Sequence, residues 1–101
     1  MIIVGKKWDK GAVYIGQGSP LGNRFAKANM TLEERDFACD QFQIEFHAKV
    51  SRNDPVIMNE LNRLLSIARN GDLILGCYCH PKRCHGLTIK QWLETELLFE
   101  S

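Results

Sequence analysis

The hydrophobic and polar residues near the start of the chain follow the pattern of two short strands and a long loop. Ile2, Ile3 and Val4 are β-branched and predict a first strand, and residues 12–15 predict a second. Residues 9–11, Asp-Lys-Gly, have turn chemistry. Residues 16–29 contain three glycines, one proline and two asparagines without a hydrophobic period, which predicts a long loop. Loops of this length in a small domain tend to be functional.

The sequence then predicts two helices with recognisable ends. Thr31 and Glu34 have the spacing of a capping box. A second helix begins with Asp54 as its cap and Pro55 in its first turn, and we expect Gly71 to end it in a left-handed conformation. Apolar residues recur at helical spacing in both segments: Ala38, Cys39, Phe42, Phe46 and Val50 in the first, and Ile57, Leu61, Leu64, Leu65 and Ala68 in the second.

An almost uninterrupted apolar run follows at residues 72–79. Such a run is typical of a strand buried on both faces, in a parallel sheet covered by helices. A last helix is predicted from about Cys84, with Ile89, Trp92, Leu93 and Leu97 on its core face. Together these elements predict a compact three-layer α/β domain spanning residues 1–101, with helices on both faces of a small sheet.

Length and composition narrow the class of protein. A chain of 101 residues with 45% hydrophobic and 25% charged residues matches one ordinary globular domain, which excludes general disorder. No apolar run approaches the length of a membrane span, and the first residues do not resemble a secretory signal. We therefore expect a cytoplasmic protein without membrane contact.

The net charge of +1 hides an uneven distribution. A net charge this close to zero argues against a protein that coats nucleic acid through bulk electrostatics. Residues 1–30 carry five basic side chains and one acidic one, whereas residues 31–48 carry one basic and five acidic ones. One interpretation is that the acidic helices are solvated surfaces. The other is that basic loops converge on an anionic ligand.

The segment CYCHPKRCHG, residues 77–86, concentrates three of the four cysteines at the predicted end of the last strand. Ligands of open α/β sheets bind beyond the carboxyl ends of the strands. Cys77 and Cys79 point to the same face of a strand, while Cys84 and His85 enter the first turn of a helix. The helix dipole and the basic Lys82 and Arg83 would lower the pKa of a thiol there.

Three interpretations of this segment stay open. Zinc binding would use Cys77, Cys79 and Cys84 with His85 or His80, although the spacing differs from the usual Cys-x₂-Cys. A reactive thiol would be Cys84 or Cys79, with His85 or His80 as acid or base. In the structural interpretation the cysteines pack as small apolar residues, as we expect for Cys39. A disulfide among Cys77, Cys79 and Cys84 is possible but disfavoured in the cytosol.

The loop at residues 16–25 is the second candidate site. Its glycines allow backbone N–H groups to approach an anion closely, and its polar side chains can add hydrogen bonds. It matches no established phosphate-binding motif, so an ordinary surface loop is the alternative. The candidate ligand-binding residues are Gly16, Gly18, Ser19, Gly22, Asn23 and Arg24.

Two patterns together resemble the family called domain of unknown function 4326, whose members are small proteins largely of bacteriophages and bacteria. The first is Tyr-Ile-Gly at 14–16 with Ser-Pro-Leu-Gly-Asn-x-Phe at 19–25, and the second is Cys-x-Cys-x-Pro-x-x-Cys-His-Gly at 77–86. The resemblance covers nearly the whole chain. Its family positions fall on Gly16, Leu21, Gly22, Asn23, Phe25, Cys77, Cys79, Pro81, Cys84, His85 and Gly86. The chain departs from the family pattern at Gln17, Arg24, Leu87 and Thr88.

The resemblance implies a Rossmann-like α/β fold, related to nucleotide-handling domains that bind a phosphorylated nucleoside at the strand ends. If the protein is phage-encoded, we expect it in the host cytoplasm. The resemblance supplies no established reaction. We therefore expect a nucleotide or related phosphorylated molecule to bind between the two segments. Cleavage or transfer of a nucleoside or nucleotide group would use Cys84, His85 and Cys79. The alternative is a non-catalytic zinc module, with Cys77, Cys79, Cys84 and His85 as ligands, that contacts a host protein or nucleic acid.

Overall fold

The computed structural model describes residues 1–27, 29–77 and 84–100 of the chain. They form a small mixed α/β fold with three helices and a three-stranded sheet. The strands are β1 (Ile2–Lys6), β2 (Val13–Tyr14) and β3 (Leu73–Cys77). The helices are α1 (Leu32–Ser51), α2 (Pro55–Asn70) and α3 (Gly86–Glu100). Each predicted strand and helix is present, and predicted residues 78 and 79 of the last strand lie outside the described residues.

The sheet is parallel, and its last strand in sequence lies in the middle. The strand order is β1-β3-β2, with Ile2 beside Leu73 and Val13 beside Leu75. The central position explains the apolar run of β3, because a strand with two neighbours has little solvent contact. The carboxyl ends of all three strands therefore meet at one edge of the sheet.

The turn between β1 and β2 passes over the end of β3 instead of forming a hairpin. The predicted turn chemistry is confirmed locally, since the Ala12 N–H donates to the Asp9 carbonyl and Gly11 has a φ of 79°. Gly76 lies under this crossing. A Cβ atom there would meet the Ala12 Cβ, the Lys6 carbonyl oxygen and the Lys7 Cα, each at 3.0 Å. Glycine thus permits the turn to cross the central strand.

The helix starts follow the sequence signals closely. Thr31 and Glu34 form the predicted capping box around the start of α1. Asp54 accepts hydrogen bonds from the backbone N–H groups of residues 56 and 57 at the start of α2. The prediction of a left-handed Gly71 is wrong, because its φ of 163° is extended backbone. The chain leaves α2 directly into the extended conformation that β3 requires.

Helices α2 and α3 pack against the face of the sheet that carries Ile2 and the buried side chains of β3. Side chains alternate along a strand, so Ile2, Leu73, Leu75 and Cys77 share a face, and all four belong to the core with the buried residues of α2 and α3. Ile3 points to the opposite face and is 40% exposed. Helices on both faces, as the sequence predicts, are therefore not confirmed. None of the described helices combines the length and apolar character needed to cross a bilayer.

We expect Gly76→Ala to lower the free energy of unfolding by about 2 kcal/mol, because the new methyl group meets backbone atoms of the crossing turn. Urea denaturation measures this change. Gly71→Ala is the matched control, because its Cβ has no atom within 4 Å, and it should change stability by less than about 0.5 kcal/mol. Equal effects of the two substitutions would contradict the role given to Gly76.

Candidate functional site

The carboxyl end of β3 and the start of α3 bring two cysteines together. Cys77 is the last residue of β3, and Cys84 lies two residues before α3. Their Sγ atoms are 2.7 Å apart, both side chains are buried, and no disulfide joins them. The Gly86 N–H donates to the Cys84 sulfur over 3.3 Å. A negative charge on Cys84 would thus be stabilised by a backbone donor at the helix start.

His85 is held in one tautomer by its surroundings. Its Nε2 atom lies 2.7 Å from the Ile15 carbonyl oxygen, which can only accept, so Nε2 carries the proton. In the neutral ring Nδ1 is therefore an acceptor, and it lies 3.6 Å from the Cys84 sulfur. Phe42 packs edge-on against the ring, with centroids 4.9 Å apart. The ring is thus oriented to receive a proton from the Cys84 thiol.

These contacts form a thiol–imidazole pair, the arrangement that activates a cysteine nucleophile. A base within hydrogen-bond reach and a third group that orients the base are its usual parts. Here Cys84 is the thiol, His85 the base and the Ile15 carbonyl the orienting group. Adjacent residues often point apart on a helix, but Cys84 and His85 precede the helix and their side chains converge. The predicted Cys79 and His80 lie outside the described residues.

The loop that leaves β2 meets this pair through Ile15 and then folds on itself. The Ser19 hydroxyl and backbone N–H both donate to the Gly16 carbonyl, and the Gly22 N–H donates to the Ser19 carbonyl. Gly22 packs against Gly16, where a Cβ atom would lie 2.6 Å from the Gly16 oxygen. Gly18 is exposed, with a φ of 91°. The structure therefore brings the two predicted segments together, with the polar groups of Gly16, Ser19 and Gly22 largely used inside the loop.

Asn23 fastens this loop to α1. Its side chain is 3% exposed, its Nδ2 donates to the Ala38 carbonyl, and its Oδ1 accepts from the Phe25 N–H. Both ends of the amide thus have partners within the protein. Its predicted contact with a ligand stays a prediction beside this structural role.

Arg24 is directed toward α1 and binds an acidic side chain. Its guanidinium donates to Glu45 over 2.7 Å, and Lys49 contacts the same carboxylate over 3.2 Å. Burial acts to raise the pKa of Glu45, but the hydrogen bonds from Arg24 and Lys49 outweigh it and hold that pKa below its ordinary value. The predicted role of Arg24 as a ligand-binding residue therefore competes with this ion pair.

Arg35 is a further candidate residue that the sequence reasoning did not single out. Arg35 lies seven residues before Phe42 on the same side of α1, and its Nε is buried without a hydrogen-bond partner among the described residues. Phe42 in turn contacts His85. A buried guanidinium nitrogen without a partner is costly, and an anion would satisfy it. The available signal was an arginine in line with the apolar stripe of α1.

The described part of the cysteine segment does not by itself form a metal site. Residues 1–27, 29–77 and 84–100 contain no group of three or more His, Cys, Asp or Glu side chains arranged to hold a metal ion. Both ring nitrogens of His85 already face protein atoms. A zinc site would therefore depend on Cys79 and His80, which lie outside these residues.

We expect Asn23→Ala to destabilise the protein by about 1–3 kcal/mol, because it leaves the buried Ala38 carbonyl and Phe25 N–H without their partner. Urea denaturation measures the effect. Asn59→Ala, on the exposed side of α2, is the control and should change stability by less than about 0.5 kcal/mol. If the two variants are equally stable, Asn23 does not anchor the loop.

Glu45→Gln should lower stability at pH 7 by about 0.5 kcal/mol, as expected for a partly exposed ion pair. The lowered pKa means that the carboxylate stabilises the fold above the ordinary Glu pKa of about 4.3 and loses this effect as the pH falls through its folded-state pKa. Unfolding curves measured from pH 7 to pH 3 should therefore converge for the variant and the natural chain. A gap that stays constant with pH would contradict the assignment.

Comparison with known proteins places the whole arrangement in one family. Searches of curated proteins and of solved structures found no match. A family model described as Domain of unknown function (DUF4326) matches residues 4–95. This range includes the loop after β2, the cysteine segment and His85, which carry the resemblance seen in the sequence. Because the match covers most of the chain, the protein belongs to the DUF4326 family.

Proposed function

We propose that this protein binds a nucleotide or a related phosphorylated small molecule at the carboxyl edge of the sheet and cleaves or transfers its nucleoside or phosphoryl group. The observation that carries the proposal is the Cys84–His85 pair, oriented by the Ile15 carbonyl. The pair joins the two loops that leave β2 and β3. In open α/β sheets this edge is where ligands bind.

In this proposal Arg35 recognises the anionic group. Its Nε, buried without a hydrogen-bond partner among the described residues, offers a charged donor, and Arg35 lies seven residues before Phe42, which contacts His85. Lys6 ends β1 beside Cys77 in the parallel register and adds positive charge at the same edge. A phosphate satisfies such donors well because its oxygens accept several charge-assisted hydrogen bonds.

The chemistry depends on the proton positions. Nδ1 of His85 takes the proton of the Cys84 thiol, and the thiolate, stabilised by the Gly86 N–H, attacks the glycosidic carbon or the phosphorus atom. The bond to the leaving group breaks, and the proton on Nδ1 passes to that group. Water or an acceptor alcohol then displaces Cys84. His85 keeps its orientation throughout because Ile15 holds Nε2.

The finer features of fold and setting belong to the same proposal. The parallel strands support a Rossmann-like relationship, in which the first strand and its neighbours supply the ligand edge. In the cytoplasm such a protein would encounter nucleotides, and a phage-encoded protein would encounter those of its host.

Calorimetry with AMP, GMP, CMP and UMP tests binding, with adenosine as the ligand that lacks the phosphate. We expect at least one nucleotide to bind and Arg35→Met to weaken it about 10- to 100-fold, because a charged hydrogen bond is lost. Arg35→Met should leave the fold at least as stable, since it removes a buried nitrogen without a partner. Arg52→Met, just beyond the other end of α1, is the control and should bind normally.

Cys84→Ser separates binding from chemistry. We expect it to bind the nucleotide within about threefold of the natural chain while product formation, followed by chromatography of the reaction mixture, falls at least about 100-fold. Binding without any product in the natural chain would limit the function to recognition. No binding by any nucleotide, together with about one bound zinc per chain by elemental analysis, would overturn the proposal in favour of the zinc module.

A further inference from the structure

Cys77 lies close to Cys84 although nucleophilic catalysis does not require a second thiol. A nucleophilic pair requires one thiol and one base, and Cys84 and His85 supply both. Cys77 adds another sulfur 2.7 Å from the first. The S–S bond of a disulfide is about 2.05 Å long, so only a small shift separates the two thiols from bonding distance.

We propose that Cys77 and Cys84 form a reversible disulfide, with a hydroperoxide as oxidant and a low-molecular-weight thiol as reductant. The Cys84 thiolate attacks the distal peroxide oxygen. An S–O bond forms, the O–O bond breaks, and the departing oxygen takes the proton held by His85. The sulfur of Cys77 then attacks the Cys84 sulfur, and water leaves as the S–S bond forms. The two sulfurs together lose the two electrons that the peroxide gains.

The surroundings of the two sulfurs favour this pairing. Cys84 shares two features with sensor cysteines: the Gly86 N–H and His85 Nδ1 both favour its thiolate, and a second thiol lies beside it. Cys77 is 1% exposed and Cys84 is 3% exposed. Burial favours a small oxidant over a bulky one. It also means that Cys77 reaches the oxidised Cys84 sulfur before a thiol from solution can. Because the two Sγ atoms are held 2.7 Å apart, the attack of Cys77 on the oxidised Cys84 sulfur has a high effective concentration.

Cys39 provides an internal comparison. It is also buried, at 5% exposed, but it lies in the middle of α1 among core side chains. Cys84, by contrast, precedes a helix, accepts from the Gly86 N–H and lies beside the His85 imidazole. Oxidation should therefore select the pair at the sheet edge and leave Cys39 as a thiol.

The disulfide would switch the site off, a consequence that rests on the proposed function. Once bonded to Cys77, the Cys84 sulfur is no longer a nucleophile and His85 Nδ1 loses its proton donor. Nucleotide binding through Arg35 does not involve either sulfur. Oxidised protein is thus expected to bind without turning over, and a thiol would restore turnover.

Thiol counting on the full chain tests the disulfide independently of any nucleotide. The natural chain has four cysteines, and after hydrogen peroxide treatment and denaturation we expect two thiols and a mass lower by about 2 Da. Dithiothreitol should restore all four. Trypsin places Cys77 and Cys79 on one peptide, residues 70–82, and Cys84 on another, residues 84–90, so variants must distinguish the two partners.

Cys79→Ser should still lose two thiols, and Cys84→Ser should lose none. Cys77→Ser should lose at most the Cys84 thiol, as a sulfenic acid with no neighbouring thiol to attack it, and neither Cys77→Ser nor Cys84→Ser should show linked peptides. The proposal is overturned if the natural chain keeps four thiols, if Cys77→Ser still forms the linked peptides, or if Cys79→Ser abolishes them. Nucleotide calorimetry on the reduced protein is scored separately. A disulfide without nucleotide binding would leave this inference intact and refute the proposed function alone.

Discussion

The central position of β3 is the constraint on which the rest of this structure depends. A central strand pairs with a neighbour on each side, and the chain supplies both neighbours, β1 and β2, before β3 is made. The connection between β1 and β2 must therefore cross the place that β3 will occupy. It does so as a short turn, and Gly76 makes room for it. Both long-range pairings meet at the carboxyl end of β3, where Cys77 lies.

This arrangement places the chemistry where three parts of the chain converge. β3 delivers Cys77, the segment before α3 delivers Cys84 and His85, and the exit from β2 delivers the carbonyl of Ile15. The hydrogen bond from His85 to Ile15 links residues seventy positions apart. It couples the loop after β2 to the orientation of the imidazole. A change in that loop could therefore alter reactivity without touching a sulfur.

The same geometry explains why one thiol could serve two purposes. A thiolate that attacks carbon or phosphorus also attacks peroxide oxygen, because both reactions depend on the same electron pair. Cys77 determines the fate of the oxidised sulfur, since a neighbouring thiol converts a sulfenic acid into a disulfide that thiols can reverse. Arg35, on α1, takes no part in the reactions proposed for either sulfur. Recognition of an anion and control by redox state can thus be separate properties of one site.

The sequence by itself determined the local elements and the likeness to a family. The capping box at Thr31, the cap at Asp54 and the apolar run of β3 act over a few residues, so their patterns are visible in the chain. The family match over residues 4–95 agrees with motifs at 14–25 and 77–86. The end of α2 was predicted wrongly at Gly71, because the next strand, and not the helix, sets its backbone conformation.

Only the tertiary structure decided how these elements meet. Strand order, the packing of the described helices on the sheet and the crossing over Gly76 depend on pairings between distant residues, which leave no local period. The tautomer of His85 depends on the carbonyl of Ile15, and the role of Asn23 as an anchor depends on Ala38. Arg35 looked like one more charge on a helix until packing buried its Nε. Local patterns record short-range propensities, whereas proton positions and partners are set by atoms brought together when the chain folds.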